Sequence, residues 1–440
     1  MDGGREGLRR RRGRGPGPHG AAALRDRVLV RDLPARAGSV VRLCGWAHTV
    51  DDRGLALRDH TGLVELVAHE GLGEVTPESA IEVEGTVVDG GARVELRRLE
   101  VLGSAEAPLP VDEASPLDER LDWRYLDLRR PRNRLVFEVQ TTVERAMREW
   151  WAAHDFLELH SPRFRAMPNM SGRELFTVDY FGRLAYLAQS PQFYKQMAMA
   201  AGFERVFEVG PVFRANPLLT PRHDTEFVSV DVEVSWIESH EDLMDLEERW
   251  LCHVVATVER RHGAEVARLF GRTVQVPDTP FPRLTMAEAQ RILARRGHRP
   301  SAPEGDIDAA GERLLAEHVA ETFGHPLVFV TEYPEAVRPF YHMRLDDGSA
   351  ATRSFDLLWN GLEVTTGAQR EHRYERLVAQ AGRNPSRVDV IRPYLDFFRH
   401  GCPPHGGFGV GLTRLLTCLL GVGDVREVTF LPRDRERLTP

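Results

Sequence analysis

The sequence predicts an α+β protein in two parts: a small all-β barrel, then a larger region with a largely antiparallel sheet flanked by helices. Three observations carry this. Residues 27–107 hold five short runs with partial period-2 alternation and β-branched content. A Pro-rich, acidic stretch at 108–130 reads as a hinge. From 131 to 440, strand-like runs alternate with helical stripes.

In chain order, residues 1–26 carry arginines with no hydrophobic stretch behind them, so they read as a disordered basic tail and not as a signal peptide. "SVVRLCGWAHTV", "GLALRDH", "TGLVELVAHE", "AIEVEGTVV" and "ARVELRRLEVLG" are the five strand candidates, with "DGG" a turn signal between the last two. Five short strands in about 80 residues suggest a closed barrel of the OB type, a fold that often binds nucleic acid; a generic β module fits the same pattern. Beyond the hinge, Pro131 opens a helix whose Leu135, Val139, Val143 and Met147 form an apolar stripe, with Trp150 and Trp151 after it. "DFLELHSP" reads as a strand ending at Pro162. "RVFEVGPVFRA", "FVSVDVEVSW", "LVFVTEYP" and "SFDLLWNGLEVTTG" read as strands, and 241–262 and 309–323 as helices.

The chain has 440 residues, 42% of them apolar and 28% charged, which fits a globular protein with a sizeable core. No apolar run is long enough to span a membrane. Cys44, Cys252, Cys402 and Cys418 lie far apart with no C-x-x-C pair, which speaks against zinc and disulfides and for a reducing cytoplasm. A net charge of −8 does not advertise a nucleic-acid binder, yet a local basic face is compatible with it.

Of the 58 lysines and arginines, only Lys195 is a lysine, in "LAQSPQFYKQMAMA". A compact ammonium fits where a planar guanidinium would clash, so a tight carboxylate pocket would demand it. Three further segments bear on the chemistry. "VGPVFRANPLLTPRHDTEF" puts Arg214 at a strand end, then Arg222 and His223 after a loop. "GLEVTTGAQREHR" offers Glu363, Thr366 and Arg370. "PPHGGFGVGLTRLL" is a Gly-rich strand, through Gly411, running into a helix near Arg414. Singly each is weak, since a Gly-rich strand is usually close packing and arginines are usually surface partners.

In this order and spacing, with the strand ending at Pro162, the segments resemble the three signature motifs of class II aminoacyl-tRNA synthetases. The chain is most similar to the archaeal-type aspartyl branch, over roughly residues 27–440. The resemblance implies an OB barrel that grips the anticodon, a homodimer built on 131–162, and ATP, magnesium, L-aspartate and tRNA as ligands. Arg214 would bridge the amino-acid carboxylate and the α-phosphate, neutralising the charge that develops on attack. Arg222 and His223 would hold the γ-phosphate. Arg414 would complete the clamp, with Gly411 beside it. Glu363 and Thr366 would bind magnesium, with Asp356 as an outer helper. Lys195 and Arg370 would hold the substrate's side-chain carboxylate, with Gln192 near its α-carbon.

The chain also departs from that family. Met170 stands where a glutamate usually meets the substrate ammonium, Asn216 where a glutamate accepts from adenine, Thr413 where a glutamate precedes the arginine, and Thr366 where serine is usual. Losing one charged hydrogen bond costs roughly 1–3 kcal/mol. These changes leave two readings side by side. One is an aspartate–tRNA ligase. The other is a divergent paralogue that adenylates an aspartate-like acid for a non-translational acceptor, or serves as a self-resistance copy. The loop "TVDDRG" after "CGWAH" is shorter than the family's, and His48 sits where the resemblance associates histidine with charging both tRNA-Asp and tRNA-Asn; a solvent-facing strand histidine is the plain alternative.

Overall fold

The computed structural model describes residues 27–439 apart from 52–53, 68–74, 167–174, 218–219, 300, 302–304 and 383–387. The chain divides between Pro110 and Val111 into two compact units.

In the first unit each of the five strand runs becomes a strand: β1 Val40–Asp51, β2 Gly54–Arg58, β3 Leu63–Val67, β4 Ala80–Val88 and β5 Arg93–Gly103. They close into a barrel in the order β1-β2-β3-β5-β4, with β3 and β5 parallel. Alternate side chains fill the interior, including Leu43, Leu57, Val64, Ile81, Val83 and Val94. The "DGG" between β4 and β5 turns tightly, with Gly90 at φ 66°, a conformation glycine adopts without a Cβ clash.

The second unit is built on an eight-stranded sheet flanked by helices. Its strands are β6 Leu157–Glu158, β10 Arg205–Phe213, β11 Glu226–Ser235, β12 Arg283–Thr285, β13 Leu327–Thr331, β14 Ser354–Trp359, β15 Leu362–Gln369 and β16 His405–Gly411. The order is β12-β13-β14-β15-β16-β11-β10-β6. All neighbours run antiparallel except β12 with β13 and β10 with β6. A small sheet, order β7-β9-β8, comprises β7 Phe164–Arg165, β8 Thr177–Tyr180 and β9 Arg183–Leu187. Of the strand expected over "DFLELHSP", only Leu157 and Glu158 pair in the large sheet.

The longer helices among the described residues are α1 Pro131–Ala153, α2 Gln192–Ala200, α3 Glu241–Phe270, α4 Met286–Arg295, α5 Ala309–Phe323, α6 Tyr374–Ala381 and α7 Leu412–Leu420. Pro131 starts α1 where its missing N–H costs nothing. The stripe Leu135, Val139, Val143 and Met147 is buried with Trp151, whose ring stacks 5.4 Å from that of Trp250 on α3. Burying one such side chain is worth roughly 1.5–3 kcal/mol, so this seam anchors α1 and α3 to the sheet. Helix α3 runs past residue 262 to Phe270, where Gly271 ends it in the left-handed conformation, φ 64°.

Candidate active site

The centre of the sheet carries charge where a core would be apolar. Along β11, Ser229, Asp231 and Glu233 fall on one face by the two-residue period, and all three are buried. Opposite them on β16 lie Gly411, Gly409 and Gly407. The sequence "GGFGVG" is small there for a reason. A Cβ on Gly407 would overlap the Val232 carbonyl and the Glu233 carboxylate, and one on Gly409 would crowd Asp231.

Lys195, one turn into α2, reaches into this space. Its Nζ lies 3.0 Å from Asp231 Oδ1 and 3.2 Å from Glu233 Oε2, and donates to the Val232 and Phe408 carbonyls, both at 3.2 Å. Arg370, just past β15, donates from Nε to Glu233 Oε1 at 3.0 Å and from Nη2 to the Gly407 carbonyl at 2.8 Å. Glu233 therefore joins the two cations. Burial alone would raise its carboxyl, but Arg370 and Lys195 outweigh that and hold it below the usual range. His342 Nε2 lies 3.0 Å from Arg370 Nη1, and burial beside that guanidinium keeps the imidazole neutral, so Nε2 accepts. Behind them, Tyr394 Oη donates to Gln196 Oε1 at 3.0 Å, and Gln196 Nε2 lies 3.1 Å from His405 Nε2. Burial pushes His405 down to about 4, a neutral ring whose Nδ1 meets the Pro403 carbonyl at 2.9 Å.

A second cluster gathers at the other end of the same strands. Arg414, on the first turn of α7 beyond Gly411, donates from Nη1 to the Glu363 carbonyl at 2.9 Å and to Glu363 Oε1 at 3.2 Å. Thr366 Oγ1 donates to Glu363 Oε1 at 3.2 Å. Arg222 lies between, with its carbonyl 3.4 Å from Arg414 Nε, its Nη2 2.8 Å from the Gly361 carbonyl and its Nη1 paired with Glu312 of α5. Burial, with Glu363 near, raises Glu312 to about 7 despite that pairing. His223 Nδ1 lies 2.6 Å from Thr220 Oγ1. Arg214 follows β10 directly; its N–H donates to the Thr225 carbonyl and its guanidinium lies 5.1 Å from the Phe227 ring centre. Asn216 N donates to the Arg214 carbonyl at 2.7 Å, a tight turn. Asp356 stands opposite Thr366 on β14 and pairs with Arg338 at 2.6 Å, whose guanidinium lies 3.6 Å from the Tyr333 ring centre.

Thus Lys195 and Arg370 meet in one buried ion-pair cluster, while Arg222, Glu363, Thr366 and Arg414 meet in one network. Gln192, the first residue of α2, is buried, with Nε2 unpartnered among the described residues. Met170 lies outside the described residues. In the barrel, His48 sits at a register shift of β1, with Nδ1 2.7 Å from Arg58 Nη1; Arg58 in turn grips Glu78 through two hydrogen bonds at 2.8 and 2.7 Å. The loop after β1 lies partly outside the described residues.

Among the described residues no three His, Cys, Asp or Glu side chains converge as a metal site. Glu363 and Thr366 present two hard oxygens close together. That set fits an ion such as magnesium, which takes few protein ligands and completes its shell from phosphate oxygens and water.

Sequence reasoning missed Asp231, Glu233, His342, Glu312 and Arg338. A signal existed for the first two. "SVDVEVS" alternates carboxylates with valines in a strand central by its apolar content, which puts two acids on one buried face.

Comparison with known proteins agrees with this geometry. The family described as "tRNA synthetases class II (D, K and N)" matches residues 116–435. An aspartate–tRNA(Asp/Asn) ligase of Methanopyrus kandleri is 44% identical over 95% of the chain and 100% of its own length. One from Thermus thermophilus is 43% identical over 94% of the chain and 100% of its length. The asparaginyl-tRNA synthetase of Pyrococcus horikoshii, solved with asparaginyl-adenylate, superposes with a TM-score of 0.85 at 30% identity, covering 94% of this chain and 99% of that one. With its motifs assembled on one antiparallel sheet and a match along most of its length, the chain belongs to the class II aminoacyl-tRNA synthetases of the D, K and N group.

Proposed function

We propose that the chain is an aspartate–tRNA ligase that charges both tRNA-Asp and tRNA-Asn. The observation that carries the amino-acid choice is the Lys195–Glu233–Arg370 cluster. Two buried cations are held at fixed positions by one carboxylate, so a substrate carboxylate meets a preformed site, whereas an amide offers only half the acceptors. The names of the full-length relatives support the same substrate.

In this reading Lys195 and Arg370 orient the substrate's side-chain carboxylate, and Gln192 flanks the α-carbon. The α-carboxylate attacks the α-phosphorus of ATP, its C–O–P bond forms as the bond to pyrophosphate breaks, and Arg214 offsets the charge that builds between them. Arg414, Arg222 and His223 hold the nucleotide, and Arg222 exchanges Glu312 for phosphate when ATP arrives. Glu363 and Thr366 would hold magnesium, which when bound supplies charge neutralisation at the phosphates. A terminal hydroxyl of tRNA then attacks the aspartyl carbonyl and AMP leaves.

Dual tRNA use rests on His48 and on relatives named for both tRNAs. The exposed edge strand β6, with Leu157 52% accessible, supports a homodimer. A tRNA substrate, as the relatives' names give it, supports a cytoplasmic location. No described helix is long and apolar enough to cross a membrane. The test is ATP–pyrophosphate exchange with aspartate and asparagine, followed by charging of each tRNA. Aspartate-dependent exchange with transfer to both tRNAs supports the reading; its absence with aspartate ends it.

A further inference from the structure

Of the buried arginines outside both clusters, Arg124 pairs with Asp127 and Arg58 with Glu78, whereas Arg165 has no such partner among the described residues. Arg165 ends the short strand β7 and is 6% exposed. Its Nη2 donates to the Ser190 carbonyl, while Nε and Nη1 are buried without a hydrogen-bond partner among the described residues. The guanidinium lies 4.9 Å from the Tyr194 ring centre and 5.9 Å from that of Phe193. Burial lowers its pKa.

Arg165 stands beside the carboxylate pocket. Phe193 and Tyr194 immediately precede Lys195 on α2. The Phe193 ring is 6.3 Å from that of Tyr341, and Arg370 lies 5.9 Å from the same Tyr341 ring. Burial raises the Tyr341 phenol, with Glu233 adding to that and the Arg370, Arg165 and Arg214 charges opposing it. At the same end of α2, Gln192 Nε2 is also buried and unpartnered.

Two features of this corner point the same way. Lys195 and Arg370 are already matched by Asp231 and Glu233, so those four charges offset one another. Arg165 has no such match among the described residues, and a buried ion without a partner is costly to keep. The unsatisfied atoms on Arg165 and Gln192 are all N–H donors, which suit carboxylate oxygens and offer an ammonium nothing.

We propose that Arg165, with the Gln192 amide, is an anion-recognising corner of the amino-acid pocket that holds the second carboxylate of a dicarboxylic substrate without requiring its ammonium group. The proposal rests on the aspartate reading for the first carboxylate. That second carboxylate is the α-carboxylate: Arg214 offsets the charge that develops on it during attack, while Arg165 adds a contact already made in the ground state, so loss of Arg165 raises KM and spares kcat.

The experiment is ATP–pyrophosphate exchange with L-aspartate, with succinate as competitor, on the full chain and on Arg165→Met, Arg165→Gln and Arg165→Lys. In the unaltered protein succinate competes with a Ki within about tenfold of the aspartate KM. Arg165→Met raises both constants by about tenfold or more with kcat within about threefold, and Arg165→Lys recovers part of the loss. Arg165→Gln keeps a donor for Ser190 while removing the charge, and gives the same comparison if the methionine variant does not fold. Unmoved constants in both neutral variants, or a Ki for succinate more than about a hundredfold above the aspartate KM, overturn the proposal. No exchange with aspartate in the unaltered protein strikes the ligase reading instead; succinate binding by calorimetry, compared with Arg165→Gln, then decides the corner by itself.

Discussion

Glu233 of β11 and Gly407 of β16 face each other across one strand pair, and the Glu233 carboxylate fills the volume that a side chain at 407 would need. The glycine is thus part of the pocket's charge design. Gly407→Ala must push Glu233 away from Lys195 and Arg370 or spread the two strands. We expect a loss of about 1–3 kcal/mol in stability, typical of overpacking, and a raised KM for aspartate. Denaturant melts and exchange kinetics on the same preparation check both. An alanine variant with unchanged aspartate KM would show that Glu233 does not position the cations.

Lys195→Arg keeps the charge and still should fail. The Lys195 Nζ sits among Asp231, Glu233 and two carbonyls, all within 3.2 Å, and a planar guanidinium has no equivalent place there. Aspartate-dependent exchange should fall by about a hundredfold, roughly 3 kcal/mol of transition-state stabilisation. Full activity in the variant would mean that the only lysine of the chain is incidental.

The lone lysine, the arginines and the Gly-rich strand were legible because rare residue types at fixed spacing stand out against a sequence that otherwise uses arginine. The barrel was legible for a different reason: five short runs with partial alternation and β-branched content fall within about 80 residues, and in the structure their alternate residues Leu43, Ile81 and Val94 fill the interior. Asp231 and Glu233 left a signal in the alternation of "SVDVEVS", but one that was easily misread. A carboxylate in a central strand looks like a solvent-facing position until the cations that neutralise it are in place, and Lys195 and Arg370 come from elements far along the chain. Arg165 was invisible for lack of any pattern, since burial without a partner is a property of the fold alone. The extension of α3 to Phe270 was signalled by Gly271, a left-handed stop of the kind that ends helices.

His48 offers a test in the barrel. Its Nδ1 accepts from Arg58, which Glu78 holds in turn, so the imidazole presents a fixed edge at the bulge of β1. His48→Trp removes that acceptor and fills the space with a larger ring. The ratio of tRNA-Asn to tRNA-Asp charging should drop by about tenfold, with ATP–pyrophosphate exchange unchanged, because exchange does not involve the barrel. A ratio that stays put, measured by charging each tRNA separately, would remove His48 from tRNA choice.

Glu247 of α3 makes stability depend on pH in a direction opposite to that of Glu233. It is fully buried, and burial, helped by Glu248 and Asp356, raises its carboxyl to about 8. The folded protein therefore keeps this proton up to about pH 8, whereas the unfolded chain releases it near the ordinary glutamate value. Between those two points the folded state binds the extra proton, so stability falls as pH rises, at up to about 1.4 kcal/mol per pH unit for this one group. Below the unfolded value the slope from Glu247 vanishes, and above about 8 it vanishes again. Asp224 and Glu312, each raised to about 7 by burial, tilt the curve the same way, so the unaltered protein alone does not isolate the effect. Glu247→Gln does, because it keeps the shape and removes the titration. The stability difference between the two proteins, from urea melts at about pH 5 and about pH 8, should shift in favour of the glutamine variant as pH rises. Parallel curves would mean that Glu247 ionises in the fold, and that a counter-charge reaches it there.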